Sequence, residues 1–214
     1  MGFGLLFIGY FFFLNLPMRG IDILPDFVGC LLMLSALRSL TRHCPSNQGF
    51  ARARTVTLGM GVLSLANLFT QIAGLSANVP DIFTRVLAIC YSLVVLVWHI
   101  FLLMGIYELA LAVDLPKLAG RTRRILTLTV IYYVLQLLSS SGLLKLITGM
   151  TETPEMALSL INLALYLLGL VWLFCTAALI FTCYMRICLE GDEDMPEHED
   201  LYDKTMSWIK SKKK

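Results

Sequence analysis

The sequence predicts an all-α fold, a polytopic membrane bundle of about six transmembrane helices with both ends in the cytoplasm. Three observations predict it. The chain of 214 residues is 57% hydrophobic and only 15% charged, against about 25% charged in an ordinary soluble domain. Its apolar residues fall into six runs rather than into the short alternations of a soluble core. The basic residues gather in every second connection.

The six segments are Gly2–Leu16, Pro25–Leu40, Thr55–Ser76, Val86–Val113, Ile125–Thr148 and Met156–Tyr184. A hydrocarbon core of about 30 Å needs about 20 helical residues. Segments three to six meet that length. The first two, at about 15 residues each, reach roughly 23 Å, so flanking residues or a locally thinned bilayer must complete them.

No basic residue precedes the first run and no small-x-small site follows it, which argues against a signal peptide. Leu6 stands where a myristoylation signal needs Ser or Thr. An apolar run beginning at residue 2 raises the expectation of a start codon further upstream.

Orientation follows from charge. Arg38, Arg42, Arg52 and Arg54 lie between segments two and three, and Lys117, Arg121, Arg123 and Arg124 between four and five. With Arg186 and the tail lysines these make fourteen of the seventeen basic residues, leaving Arg19, Arg85 and Lys145 for the other side. The expected division is a bundle over 1–186 and a charged cytoplasmic tail over 187–214. Eight of the fifteen acids fall between Glu190 and Asp203. Past Pro196 the tail fits either an interfacial helix or a solvated tail.

Polar residues within a span face other helices or a cavity, because lipid cannot satisfy them. Thr57, Gly61, Ser64, Asn67, Gln71 and Gly74 form one small-and-polar stripe on segment three. Ser159, Asn162, Tyr166, Gly169, Thr176 and Cys183 form another on segment six, with a gap near Trp172. Close helix packing accounts for both stripes. Asn67, Gln71 and Asn162 also lie towards the outer side, and Gln136 near the middle of segment five, with Ser139 to Ser141 following on its outer side. His99 stands near the midplane of segment four, and Glu108, on the opposite face, nearer the cytoplasm.

The stretch RGIDILPDFVGCLL, from Arg19, brings two acids and a proline to the outer end of a short helix. Pro25 suits a first helical position, Asp26 the positive end of the dipole and Asp22 a cap. The sharper reading has Arg19, Asp22 and Asp26 meeting each other or a cation against the outer ends of segments three, five and six. Together with Asn67, Gln71, His99, Gln136 and Asn162 they make a candidate polar vestibule. If segments one to three and four to six were inverted halves, the short segment two would correspond to segment five, interrupted by Ser-Ser-Ser-Gly.

The IDILPDFVGCLL stretch resembles one that opens uncharacterised bacterial multi-pass membrane proteins, and the resemblance covers about Gly2 to Leu40. It implies a bacterial inner-membrane location and no particular chemistry.

Six cysteines without paired spacing, and no Cys/His cluster, give no disulfide framework and no metal site. No nucleotide loop, nucleophile elbow or intramembrane-protease signature is present, so no enzyme, no cofactor and no nucleic-acid partner are expected. Two functions fit: an interaction, assembly or regulatory protein of the membrane, partnered by the lipid bilayer and by other membrane proteins or a second copy; or a small-solute or ion transporter using the vestibule.

Overall fold

The computed structural model describes residues 2–12, 17–18, 21–22, 26–72, 81–140 and 155–187. Among them lie six helices: α1 (Gly2–Phe11), α2 (Asp26–His43), α3 (Gln48–Ile72), α4 (Asp81–Ala112), α5 (Pro116–Ser140) and α6 (Glu155–Arg186). A two-residue antiparallel ladder, Pro17 opposite Asp22 and Met18 opposite Ile21, stands between α1 and α2. The fold is all-α.

Each helix packs on its neighbours in sequence, and α1 packs on α6, so the six close into a ring. Close approaches give the directions. Gly2 lies beside Leu40 and Gly9 beside Met33, Gly49 abuts Gly105, and Gly4 faces Tyr184. In α1 and α2 the early Gly2 meets the late Leu40 and the late Gly9 meets the earlier Met33, and the other two pairs likewise join an early position to a late one, so neighbours run antiparallel. Consequently α1, α3 and α5 are parallel to one another.

At the basic connections the helices run further than the sequence expectation. Arg38 and Arg42 belong to α2, Arg52 and Arg54 to α3, and Arg121, Arg123 and Arg124 to α5, where loops were expected. Apolarity marks where lipid would begin, whereas the helix continues for as long as backbone bonds and good helix formers allow. At the other extreme α1 is shorter than its apolar run, ten residues or about 15 Å.

Two tight connections hold this end. Asn47 caps α3: its Oδ1 accepts from the Phe50 N–H at 3.1 Å, while its Nδ2 donates to the Gly105 carbonyl of α4 at 2.8 Å. After α4, Asp114 adopts φ 56°. Its N–H bonds Leu111 O at 3.2 Å and the Leu115 N–H bonds Ala110 O at 2.8 Å, the paired bonds of a Schellman stop. Pro116 then opens α5, where its missing N–H costs nothing.

Among the described residues two helical stretches are long and apolar enough to cross a membrane, Val86–Ala112 and Leu163–Arg186. Segments three and five had been expected to qualify as well.

Candidate functional site

The ring is filled at its centre by an aromatic cluster built around α4. Trp98 and His99 are both buried there. His99 Nδ1 lies 2.8 Å from the Val95 carbonyl oxygen, which can only accept, so Nδ1 carries the proton. Nε2 of the neutral ring then accepts from the hydroxyl of Tyr10 on α1, at 3.1 Å. Ring centroids of Trp98 and Trp172 each stand 4.8 Å from the imidazole, and Tyr133 stands 5.7 Å away. Thr176 lies within hydrogen-bonding reach of the Tyr10 side chain. His99 is thereby held through both nitrogens and enclosed by rings from α1, α4, α5 and α6.

Two further bonds flank it. Trp98 Nε1 donates to Thr57 Oγ1 at 2.8 Å, and Thr57 donates to the Ala53 carbonyl at 2.8 Å. Trp172 Nε1 donates to Thr129 Oγ1 at 2.8 Å, and Thr129 donates to the Ile125 carbonyl at 2.8 Å. Each hydroxyl turns back on its own helix and still accepts the indole, so every polar atom of the unit is satisfied.

These bonds reveal a repeat that the sequence reading had not found. The α3–α4 and α5–α6 hairpins each pair a helix of 25 residues with one of 32. Both first helices carry Arg-x-x-Thr-x-Thr, at Arg52–Thr57 and Arg124–Thr129. Because α3 and α5 are parallel, the hairpins are related by rotation about the bundle axis rather than by the inversion suggested for segments one to three and four to six. The repeat breaks at His99, where α6 has Leu173 after its tryptophan.

Of the expected vestibule only the side chains of His99 and Gln136 fall among the described residues. His99 belongs to the aromatic centre just described, and Gln136 is half-buried on α5. Asp22 is seen as a backbone position of the ladder, and Asp26 opens α2. Asn67 and Gln71 fall on α3 and Asn162 on α6, but their side chains, those of the two acids and Arg19 itself lie outside the described residues. So do Ser141 and the tail.

Compared with known proteins, the chain matches no family model, no curated protein and no solved structure.

The chemistry of the remaining groups is modest. Cys30, Cys44, Cys90, Cys175 and Cys183 form no disulfide. Burial pushes the Cys44 thiol, in the α2–α3 connection, above its ordinary range and so away from the reactive thiolate. Among the described residues no group of His, Cys, Asp or Glu side chains converges as metal ligands would.

At the other functional extreme, the described basic side chains share one end of the ring. Arg38, Arg42 and Arg186 lie near the ends of α2 and α6, and Arg52, Arg54, Lys117, Arg121, Arg123 and Arg124 in the first turns of α3 and α5. Away from that end the outer surface is apolar. Val62, Leu163, Val171 and Phe174 are among its most exposed side chains, at 69%, 55%, 55% and 62%.

Proposed function

We propose that the chain is a six-span protein of a bacterial inner membrane, with both ends cytoplasmic, and that it serves there as an interaction or assembly component. The observation that carries the reading is the pairing of an apolar outer surface with a single basic end. A soluble domain seldom exposes contiguous apolar patches beyond a few hundred Å². Here only 28% and 33% of the two most apolar helical windows are buried within the bundle, so the larger part of each needs an apolar surrounding. The basic end fits the cytoplasmic face. Segments other than α4 and α6 reach across through their flanking residues or beside a thinned bilayer. The bacterial placement rests on the IDILPDFVGCLL resemblance.

An assembly role is favoured over transport by the middle of the ring. A transport path past His99 needs a water-filled passage, and that place is occupied by Tyr10, Trp98, Tyr133 and Trp172. The exposed rings of Tyr166 and Phe174 on α6 then become the face offered to a partner.

Membrane integration is tested by carbonate extraction and by cysteine accessibility. Positions around Arg52, Arg121 and the tail should all be reached from the cytoplasmic side; Arg121 and the tail on opposite sides sinks the six-span reading. For assembly, a photo-crosslinking residue at position 166 or 174 should give a discrete protein adduct in membranes. Lipid adducts alone at both positions would sink the assembly role.

A further inference from the structure

At the basic end, α3 and α4 leave between them a half-open cleft of about 260 Å³. Gly49 lines it, and Gly105 of α4 stands against Gly49. They bring the two backbones so close that a Cβ on Gly49 would lie 2.5 Å from the Gly105 nitrogen, and neither supplies a side chain to fill the space beside the contact. Ser46, Gln48 and Arg52 form one wall, and Phe101, Met104 and Glu108 the other.

The walls carry opposite charges that are not spent on each other. Arg52 donates to Gln48 Oε1 at 3.0 Å, and its guanidinium carbon lies 5.8 Å from the Phe101 ring centroid rather than on the Glu108 carboxylate. That bond uses one of the five N–H donors of a guanidinium. Glu108 is exposed.

Their order along the bundle is specific. Arg52 sits beside Phe101, and Glu108 follows Phe101 by about two helical turns towards the basic end. Leu93, Val97, Phe101, Met104 and Glu108 recur at helical spacing on one face of α4. Leu93 and Val97 are exposed at 44% and 40%. Moving towards the basic end, this face therefore offers an apolar track, then a cation, then an anion.

We propose that the cleft binds a phosphoethanolamine lipid, with an acyl chain along Leu93 and Val97, the phosphate on Arg52 and the ammonium on Glu108. A phospholipid of the cytoplasmic leaflet presents its groups in that order, with phosphate nearer the hydrocarbon and amine nearer the water. A glycerol headgroup carries the same phosphate but brings neutral hydroxyls, and no cation, to the Glu108 carboxylate. A choline headgroup has no N–H to donate to that carboxylate. The assignment rests on the membrane orientation proposed above.

The test is native mass spectrometry of the whole protein in detergent, offered equal amounts of phosphatidylethanolamine, phosphatidylcholine and phosphatidylglycerol. Wild type should retain the ethanolamine lipid about tenfold over the other two, the scale of one charge-assisted hydrogen bond. Glu108→Gln should lose that preference while still taking phospholipid, and Arg52→Gln should lose all three adducts. Soluble O-phosphoethanolamine should compete only at far higher concentration, because it lacks the acyl contact; competition at equal concentration overturns the lipid as the source. Equal retention of the three lipids by wild type overturns the proposal, as does ethanolamine preference surviving in Glu108→Gln. Both side chains are exposed, so the variants should melt with wild type; the wild-type selectivity stands as a test by itself if either does not. Carbonate extraction separates the two levels: a protein released by carbonate sinks the membrane reading, whereas a retained protein without selectivity sinks the cleft alone.

Discussion

The indole N–H of Trp98 meets the hydroxyl of Thr57 at 2.8 Å across 41 residues, and that of Trp172 meets Thr129 at the same distance across 43. One hydrogen bond thus ties each of two successive hairpins, at corresponding depth and with the same donor and acceptor. In lipid the helices gain little from apolar burial alone, so such bonds and close backbone contacts carry a larger share of the association.

Removing either hydroxyl while keeping its shape should therefore destabilise the bundle by similar amounts. Thr57→Val and Thr129→Val each take from a buried indole N–H its threonine acceptor, at a cost of about 0.6–1.7 kcal/mol. Thermal unfolding in detergent should register both, with Thr57→Ser and Thr129→Ser close to wild type. A loss in only one of the two valine variants would mean that the hairpins are not energetic equivalents.

The glycines of α3 offer a sharper contrast. At Gly49 a methyl group would lie 2.6 Å from the Gly105 Cα, and backbone on both sides leaves it no escape. Gly59 has nothing within 4 Å of the same added atom. Gly49→Ala should sharply reduce folded protein, by separating α3 from α4. Gly59→Ala should melt unchanged or higher, since a helical glycine is about 0.5–1 kcal/mol less favourable than alanine. Equal melting temperatures for the two variants would refute the close crossing.

Asp114 stores a smaller strain. Its φ of 56° belongs to the left-handed region, where a side chain costs about 1–2 kcal/mol, less for an aspartate that bonds locally. Asp114→Gly should raise the melting temperature slightly, and Asp114→Val should lower it. A glycine variant less stable than wild type would show that the carboxylate contributes more than the backbone loses.

Much of the bundle was legible because apolar runs and basic connections report on solvent. The helix ends were not, since Arg52 and Arg124 are good helix formers bonded back to Gln48 and Gly120 within their own helices. His99 was read as near the midplane, and the structure puts it in the buried centre. Its partner Tyr10 lies 89 residues away and meets it only because α1 closes the ring against α6. No local pattern carries that closure. The Thr–Trp repeat did leave a signal in Arg-x-x-Thr-x-Thr. Thr57 was instead absorbed into a stripe of small polar residues, and Trp172 stood out as a break in another.

The Tyr10–His99 bond tests whether the centre acts as a closed packing unit. With Nδ1 committed to Val95, the only proton available to Nε2 of the neutral ring along this contact comes from Tyr10. Tyr10→Phe should remove the α1 donor from the buried Nε2 and cost about 0.6–1.7 kcal/mol. His99→Leu should cost a comparable amount by taking from the Tyr10 hydroxyl its acceptor on α4. The double variant should then lose less than the sum of the two, because each partner has been removed together with the other. Emission from Trp98 and Trp172, whose rings stand 4.8 Å from the imidazole, should shift in His99→Leu and move less in Tyr10→Phe. Strictly additive losses in the cycle would show that the hydrogen bond contributes nothing and that α1 is held on the ring by apolar contacts alone.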